Sequence, residues 1–596
     1  MNYKSRKDIP EKYKWNIEAM YKNSELCEKD IQSCLKMADK IAKYQGHLKD
    51  NANSLASALK ERDKLYQKLE AVIVYAHQKT DEDRKLSESL ALEGKANAMV
   101  AQVSQKLAFF APELSSIPEK TLKKFIKDSK ELKVYEHYLD EVMREKSHIL
   151  KKSDEVLLAK LSELTDCPED VFRMLNDAEF NFGEVTNEKG KKVPLTHGSY
   201  MTLVRNKDRA VRKEAYEKLY GVFQQYRNTL ATTYNYNVKQ DVIYSQIRKY
   251  PSARARALSG SNIPEEVYDN LVKVVNEHLP ALHRYMKLRK KLLGLKDLSM
   301  YDVYTPMLPK AKKKFNYEDG KKLALTALEV LGKEYVKDLE KGYESRWVDV
   351  YETPGKRSGA YSFGCYTSMP YMLLNYRDEL DDVFTLIHES GHSMHSYYTR
   401  KNQPFIYGDY SIFAAEVAST VNESLLMNYL INNAKSKKEK AELLNMWLDE
   451  FRTTLFRQTQ FAEFELETHR MVERGEVLTA DALEKLYGDI NKKYYGPAVK
   501  YDNLINLEWS RIPHFYSAFY VYQYATGYSA ATAIASRILN EGPKAANEYL
   551  KFLKAGSSNY PIEVLKYGGV DMASPAPVEA AMKKFEELLD ELEAIL

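Results

Sequence analysis

The sequence predicts a mainly α-helical protein with one small β-sheet. Three observations carry that prediction. Apolar residues recur three and four apart over most of the first 180 positions and again beyond 207, the spacing of helices that bury one face. The breaks between these segments hold Asn, Asp, Ser or Pro, as at Asn51 to Ser54, Ser115 to Pro118, and Cys167 with Pro168. One stretch, 345–376, departs from the helical pattern and alternates aromatic with small residues around turn signals.

Helical segments are expected near 24–48, 52–78, 80–112, 116–128, 131–146 and 150–163. FNFGEV, NEKGKK and VPLT (180–196) read as a small hairpin. Helical patterns resume over 207–245, 264–294 and 319–341, and the basic cluster PKAKKKF (309–315) reads as a solvated loop. SRWVDVY, TPGKRSG and AYSFGCYTSMPYMLLNY then supply the strands. With no fixed-period repeat and no low-complexity linker, the division is placed near residue 200. An N-terminal helical region, 1–200, precedes a larger domain, 201–596.

Composition narrows the classes. The 596 residues suffice for a large core. Basic residues number 89 and acidic ones 85, a net charge of +4, which gives no case for nucleic acid or an anionic membrane as partner. The polar start MNYKSRKDIPEKYKW has no apolar signal core, and runs such as AVIVYA (71–76) fall far short of a membrane span. Cys27, Cys34, Cys167 and Cys365 are too few and scattered for a disulfide framework and lack zinc-ribbon spacing. Reduced thiols in a cytoplasm are expected. The 45 tyrosines suit walls that pack apolar area yet keep a hydroxyl for hydrogen bonding, although most serve as ordinary core aromatics.

The chemistry concentrates in DDVFTLIHESGHSMHSYY (381–398), which holds HExxH as His388, Glu389, Ser390, Gly391 and His392. On a helix, positions i and i+4 share a face, so two imidazoles can bind one Zn²⁺ while Glu389 reaches the metal-bound water as general base. HExxH also arises by chance in long chains, so the flanks decide. Leu380, Val383, Phe384, Ile387 and Met394 recur at helical spacing, and Asp381 and Asp382 suit a helix N-terminus.

A catalytic zinc takes three protein ligands and keeps one position open. His395 shares the helix face, but at 1.5 Å per residue it stands about 10 Å along the axis from His388, against Zn–N bonds of about 2.1 Å. One straight helix cannot supply all three. The metzincin pattern fails too, since it needs Gly at His395 and His at Tyr398. The next helical segment, SIFAAEVASTVNESLLMNYL (411–430), places Glu416 in a small, apolar run where an unpartnered carboxylate is costly. Glu416 is the expected third ligand, with Glu423 or a hydroxyl supporting an imidazole N–H from behind, and Glu423 as ligand is the internal alternative. Gly359 and Gly364, with Ala360 and Tyr361, mark a strand on which an extended peptide could add as a further strand.

HESGHSMH, followed 27 residues beyond Glu389 by Glu416 of AEVASTVNE, resembles the thimet oligopeptidase family of gluzincins, and most of all its oligoendopeptidase F branch. IPEKYKWNIEAMYKN, SGAYSFGCYTSMPYMLLNY and RIPHFYSAFYVYQYATG resemble that branch as well, from the first residues to the late helices. The resemblance implies a multi-helical bowl or split ellipsoid with a deep channel, one zinc at its floor and short unfolded oligopeptides as substrates. The N-terminal region would wall that channel. It also supports His388, His392 and Glu416 as ligands and Glu389 as base.

WSRIPHFYSAFYVYQYATGYSA (509–530) completes the expected site. A His or Tyr donor aimed at the developing oxyanion favours the transition state over the ground state. His514 and Tyr522 share a face if the helix is continuous, and Tyr520 and Tyr524 are the alternatives. The Gly-Gly-Tyr loop that follows this His in thimet-type members is absent here. The expected activity is zinc-dependent endopeptidase. The competing readings are a dipeptidyl carboxypeptidase with the same chemistry, which needs a fixed cation for the terminal carboxylate, and a helical peptide-binding protein with a vestigial motif.

Overall fold

A computed structural model describes residues 3–308 and 313–596 and is predominantly helical. Of the basic cluster, residues 309–312 lie outside the described ones. Packing groups the chain into two compact units. The first comprises Met1–Ser147, Lys312–Tyr429 and Ile534–Val570, the second His148–Ala311, Leu430–Ala533 and Asp571–Leu596. This grouping differs from a division at residue 200, because chain segments distant in sequence close one core together.

In the first unit, the helices Ser24–Ala42, Ala52–Glu82 and Ser87–Leu107 pack on one another. Two of them begin at a capping Asn, the second of these at an expected break: Asn23 and Asn51 accept hydrogen bonds from the N–H groups of Leu26 and Ser54 at 3.1 and 3.0 Å. Their apolar faces build a core that takes in Trp15, Leu59, Leu65, Val72 and Tyr75 and continues into Tyr371 and Leu373. The sheet is thereby fixed from the N-terminal side. Strand Tyr371–Leu373 lies between Val348–Asp349, its parallel neighbour, and Tyr361–Phe363, which pairs antiparallel as Tyr361 with Leu373 and Phe363 with Tyr371. Lys356 is buried against the Asp349 carboxylate at 2.7 Å and donates to the Tyr351 carbonyl at 2.8 Å, locking the intervening loop onto the sheet. The expected helical pattern over 319–341 is interrupted at Gly332, whose φ of +98° only glycine adopts readily.

The motif helix, Leu380–Asn402, packs on the sheet, on Tyr317–Ala327 and on Pro543–Ala555. Its start is held by Asp382, which accepts from the N–H of Glu379 at 2.8 Å.

In the second unit, the helix Arg227–Ile247 packs on Arg457–Glu473 and Ala480–Tyr495 around Tyr234, Phe464, Phe515 and Trp509. The hairpin forms as an antiparallel pair, Glu184–Thr186 with Lys192–Pro194. The continuous helix on which His514 and Tyr522 would share a face does not form. Tight turns at Ile505–Arg511 and Pro513–Tyr516 lead to Phe519 with φ of +53°, and a regular helix starts only at Tyr522. Pro513 has no N–H to continue a helix, and a left-handed residue ends one. Among the described residues no helix is long and apolar enough to cross a membrane.

Candidate metal centre

Two crossed helices build the centre. His388, Glu389 and His392 stand on the motif helix, and Glu416 on the helix Ile412–Asn432. Gly391 lets the two approach. A Cβ there would lie 2.6 Å from Ser419 Cα and 2.7 Å from the Ala418 carbonyl oxygen. Ser419 also donates to the Glu416 carboxylate at 3.1 Å and so orients it.

The donor atoms converge. Nε2 of His388 and of His392 lie 3.4 and 3.5 Å from Oε2 of Glu416, and the three ligand atoms fall within 4.8 Å of one another. Bonds of about 2.1 Å in tetrahedral directions separate two ligands by about 3.4 Å, so this spacing fits Zn²⁺. The charge balance fits as well. Glu389, Glu416 and Glu423 surround two imidazoles, and the pocket draws positive charge. Burial disfavours charge on His388, but Glu423 and the other carboxylates outweigh it and raise the pKa to about 9. The hydrogen bond from His392 holds the Glu416 carboxyl down to about 2.

The remaining residues have distinct places. Glu423 Oε1 is 3.2 Å from His388 Nδ1, on the far side of that ring from Glu416, where a carboxylate fixes tautomer and orientation. Glu389 is 7% exposed, and burial raises its pKa against the pull of both imidazoles. His395 is fully buried and lies flat on Tyr410, ring centroids 3.7 Å apart, with neither ring nitrogen hydrogen-bonded. Burial lowers its pKa to about 3, so it is a neutral packing residue.

The edge strand is tied to the motif helix through Ser362 and Ser393, whose hydroxyls meet at 2.8 Å. Met372 and Leu374 donate their N–H groups to Trp347 and Asp349, so the odd residues of that strand face Tyr361–Phe363. Tyr361 and Phe363 therefore bond inward, and Ser362 turns its backbone N–H and C=O to the open edge. The two glycines have different surroundings, with open space beside Gly359 and close backbone beside Gly364. Gly364 approaches the chain itself, since a Cβ would lie 2.5 Å from the Met369 carbonyl oxygen. Gly359, at φ +82°, gives its carbonyl to Asn375 at 2.7 Å. Ala360 is half-buried between them, and the Tyr361 hydroxyl donates to buried Asp81 at 2.9 Å.

In the second unit, His514 gathers Tyr520 and Tyr524, with centroids at 5.9 and 5.8 Å, and its Nε2 lies 3.4 Å from the Tyr524 hydroxyl. Burial and the positive charge of Arg457 lower the His514 pKa. Tyr522 is not part of this group. The broken helix turns it inward, where it is 3% exposed and packs on Tyr268 at 5.0 Å. The shared face of His514 and Tyr522 required a continuous helix, and Phe519 removes it. Sequence reading also missed Gly391 as the spacer of the two crossing helices, although a glycine between the two histidines of HExxH was a visible signal.

HExxH on one helix with a glutamate from a crossing helix is the arrangement of a metallopeptidase. The family model of Peptidase family M3 matches residues 202–584, that of Oligopeptidase F matches residues 113–182, and the chain belongs to Peptidase family M3. It is similar to the oligopeptidase PepF of Bacillus subtilis, 48% identical over 591 residues, covering 99% of this chain and 88% of the relative. The plasmid oligoendopeptidase F of Lactococcus lactis subsp. cremoris is 45% identical over 596 residues, covering 100% and 99%. Among solved structures, oligoendopeptidase-F from Enterococcus faecium aligns with TM-score 0.74 at 40% identity, covering 96% of this chain and 98% of that one. A crystal structure from Chlamydophila abortus aligns with TM-score 0.94 at 36% identity over all of both chains.

Proposed function

We propose that this protein is a zinc-dependent endopeptidase that hydrolyses internal bonds of short unstructured oligopeptides. The observation that carries the reading is the meeting of His388, His392 and Glu416 within 4.8 Å, with Glu389 next to the first ligand. Bound there, Zn²⁺ would polarise the scissile carbonyl and acidify the attacking water. Glu389 takes the proton from the attacking water and hands it to the leaving amine nitrogen. Its buried position, which disfavours a lasting negative charge, suits a group that must both accept and release a proton. Glu423 keeps the His388 ring in one tautomer, and Ser419 keeps the Glu416 carboxylate in one rotamer.

The peptide backbone is assigned to the edge strand, where Ser362 offers one donor and one acceptor to an extended chain. His514 and Tyr524, with Tyr520 beside them, are assigned as donors to the carbonyl oxygen as it gains charge. Supporting this are the exposed imidazole and the hydroxyl near its Nε2. The N-terminal region is assigned to limiting approach to the centre, since its helices share a core with the sheet behind the motif helix. A reducing compartment, the cytoplasm, fits the four unpaired cysteines, three of them buried. The relatives' names as oligopeptidases favour this activity over a dipeptidyl carboxypeptidase or an inactive binding protein. Metal analysis with a mass-spectrometric digest of mixed peptides tests it: one zinc per chain and internal cleavages are expected. A metal-free protein, or release of C-terminal dipeptides alone, would overturn it.

A further inference from the structure

We propose that Glu465 is a positioning residue for the reaction, holding the turn at Phe519 that carries Tyr520 and Tyr524 to His514. This rests on the reading that the His514 group takes part in catalysis.

The chain reaches the two tyrosines through an unusual backbone. Phe519 sits at φ +53°, a region that bulky side chains rarely occupy and that persists only where surroundings impose it. Here they do. Glu465 Oε1 accepts the Phe519 N–H at 2.7 Å across 54 residues of sequence, and both residues are buried. The Phe519 ring is held between His469, at 4.5 Å, and Tyr268, at 5.7 Å. His469 is itself fixed, with Nδ1 2.8 Å from the Glu465 carbonyl oxygen and Nε2 3.5 Å from Asp241. Tyr268 donates to the Ala462 carbonyl at 2.6 Å. Helix Arg457–Glu473 therefore presents both an acceptor for the strained amide and a socket for the ring.

Stability alone does not account for Glu465. It is 0% exposed, and its Oε2 has no hydrogen-bond partner. Burial pushes its carboxyl up to about 8 in spite of His469 and the Phe519 amide. An apolar side chain would spare the unpaired Oε2 but leave the buried Phe519 N–H without its acceptor. What the carboxyl supplies is direction. With Phe519 returned to an ordinary φ, the chain would leave the turn on another course, and the 5.5 Å contact of Tyr520 with Tyr524 and their approach to His514 would be lost.

The test compares reach with charge in the full-length, zinc-loaded enzyme. Glu465→Gln keeps an oxygen at the same reach, whereas Glu465→Asp keeps the acid but withdraws it by one methylene. On an internally quenched peptide, Glu465→Asp should lose about tenfold or more in kcat with KM changed less than about threefold. Its zinc content should be unchanged, and amide hydrogen exchange should quicken over 517–524. Glu465→Gln should stay within about threefold of the parent in both measurements. Wild-type kcat for Glu465→Asp, equal loss in both variants, or unaltered exchange across the turn would overturn the proposal. Full kcat in His514→Ala would instead remove the reading beneath it, and that outcome is separable because the exchange data report on the turn directly.

Discussion

Gly391 and Ser419 touch backbone to backbone where the two ligand helices cross, with 2.6 Å between Ser419 Cα and the site of a Gly391 side chain. Gly391→Ala would ordinarily favour a helix by about 1 kcal/mol. Here the added methyl has nowhere to go and must force the helices apart. The variant is expected to melt lower than the parent and to bind zinc about tenfold more weakly, because Glu416 moves away from both imidazoles. Calorimetry and competition with a zinc chelator check it, and a stabilised variant with native zinc affinity would contradict the close crossing.

Glu389→Gln keeps the shape of the side chain and removes its basicity. Zinc content should remain stoichiometric while kcat falls by about 10²–10⁴-fold. Peptide hydrolysis near the parental rate would exclude Glu389 from proton transfer.

Three substitutions separate the ligands from their neighbours. Glu416→Ala should lose most zinc at sub-micromolar free metal. Glu423→Gln should retain it with affinity lowered about 10–100-fold, as expected for a group that orients a ligand. His395→Ala should bind zinc normally and lose stability instead, since its ring packs on Tyr410 and Phe552. Metal loss in His395→Ala with retention in Glu416→Ala would reverse the assignment.

The parts legible in the sequence are those set by local periodicity or by residue chemistry. HExxH, the helices before residue 180, the hairpin and the strands around Tyr361 all announce themselves through spacing and turn residues. The axial distance that separates His395 from His388 needs only helix geometry. What escaped depends on contacts between distant segments. Tyr522 looked like a partner of His514 because an eight-residue separation suggests one helix face. Yet the helix is broken at Phe519 by an acceptor and a ring socket contributed from Glu465 and His469, 54 and 50 residues upstream. The same holds for Ser362 and Ser393, and for Gly391 and Ser419, whose contacts arise only once the helices and the sheet have docked.

Stability should depend on pH through Glu465. Its carboxyl is held near 8 in the folded protein, against about 4.5 when free, by burial, with Asp241 raising it further and His469 and the Phe519 amide opposing. The folded state thus favours the protonated acid. The resulting stability is fully present below about pH 4.5 and is lost as pH rises through about 8. Glu465→Gln cannot ionise, so its melting temperature relative to the parent should rise steadily across that window. Groups distant from position 465 contribute equally in both proteins and cancel in the difference. A constant difference in Tm between pH 5 and about 8.5 would show that the buried carboxyl does not titrate as placed.

Which polypeptides are cut should follow from access to the centre. The reacting groups are recessed: Glu389 is 7% exposed, and the side chains of His388 and His392 are 27% and 17% exposed. On the proposed binding mode, a scissile carbonyl is brought down to them while its flanking backbone lies extended along Ser362. A segment of a folded protein has its N–H and C=O groups committed to its own helices or sheets, and releasing several residues of it costs about 1 kcal/mol or more for each lost bond. A short unstructured peptide carries no such commitment. One polypeptide should therefore be offered folded, unfolded at full length, and as fragments of graded length. The folded form should resist, and the short fragments should be cleaved at internal bonds, with kcat/KM falling as length increases. Efficient internal cleavage of the folded form would mean that the recessed groups accept backbone that is not extended, and the edge-strand mode of binding would have to be abandoned.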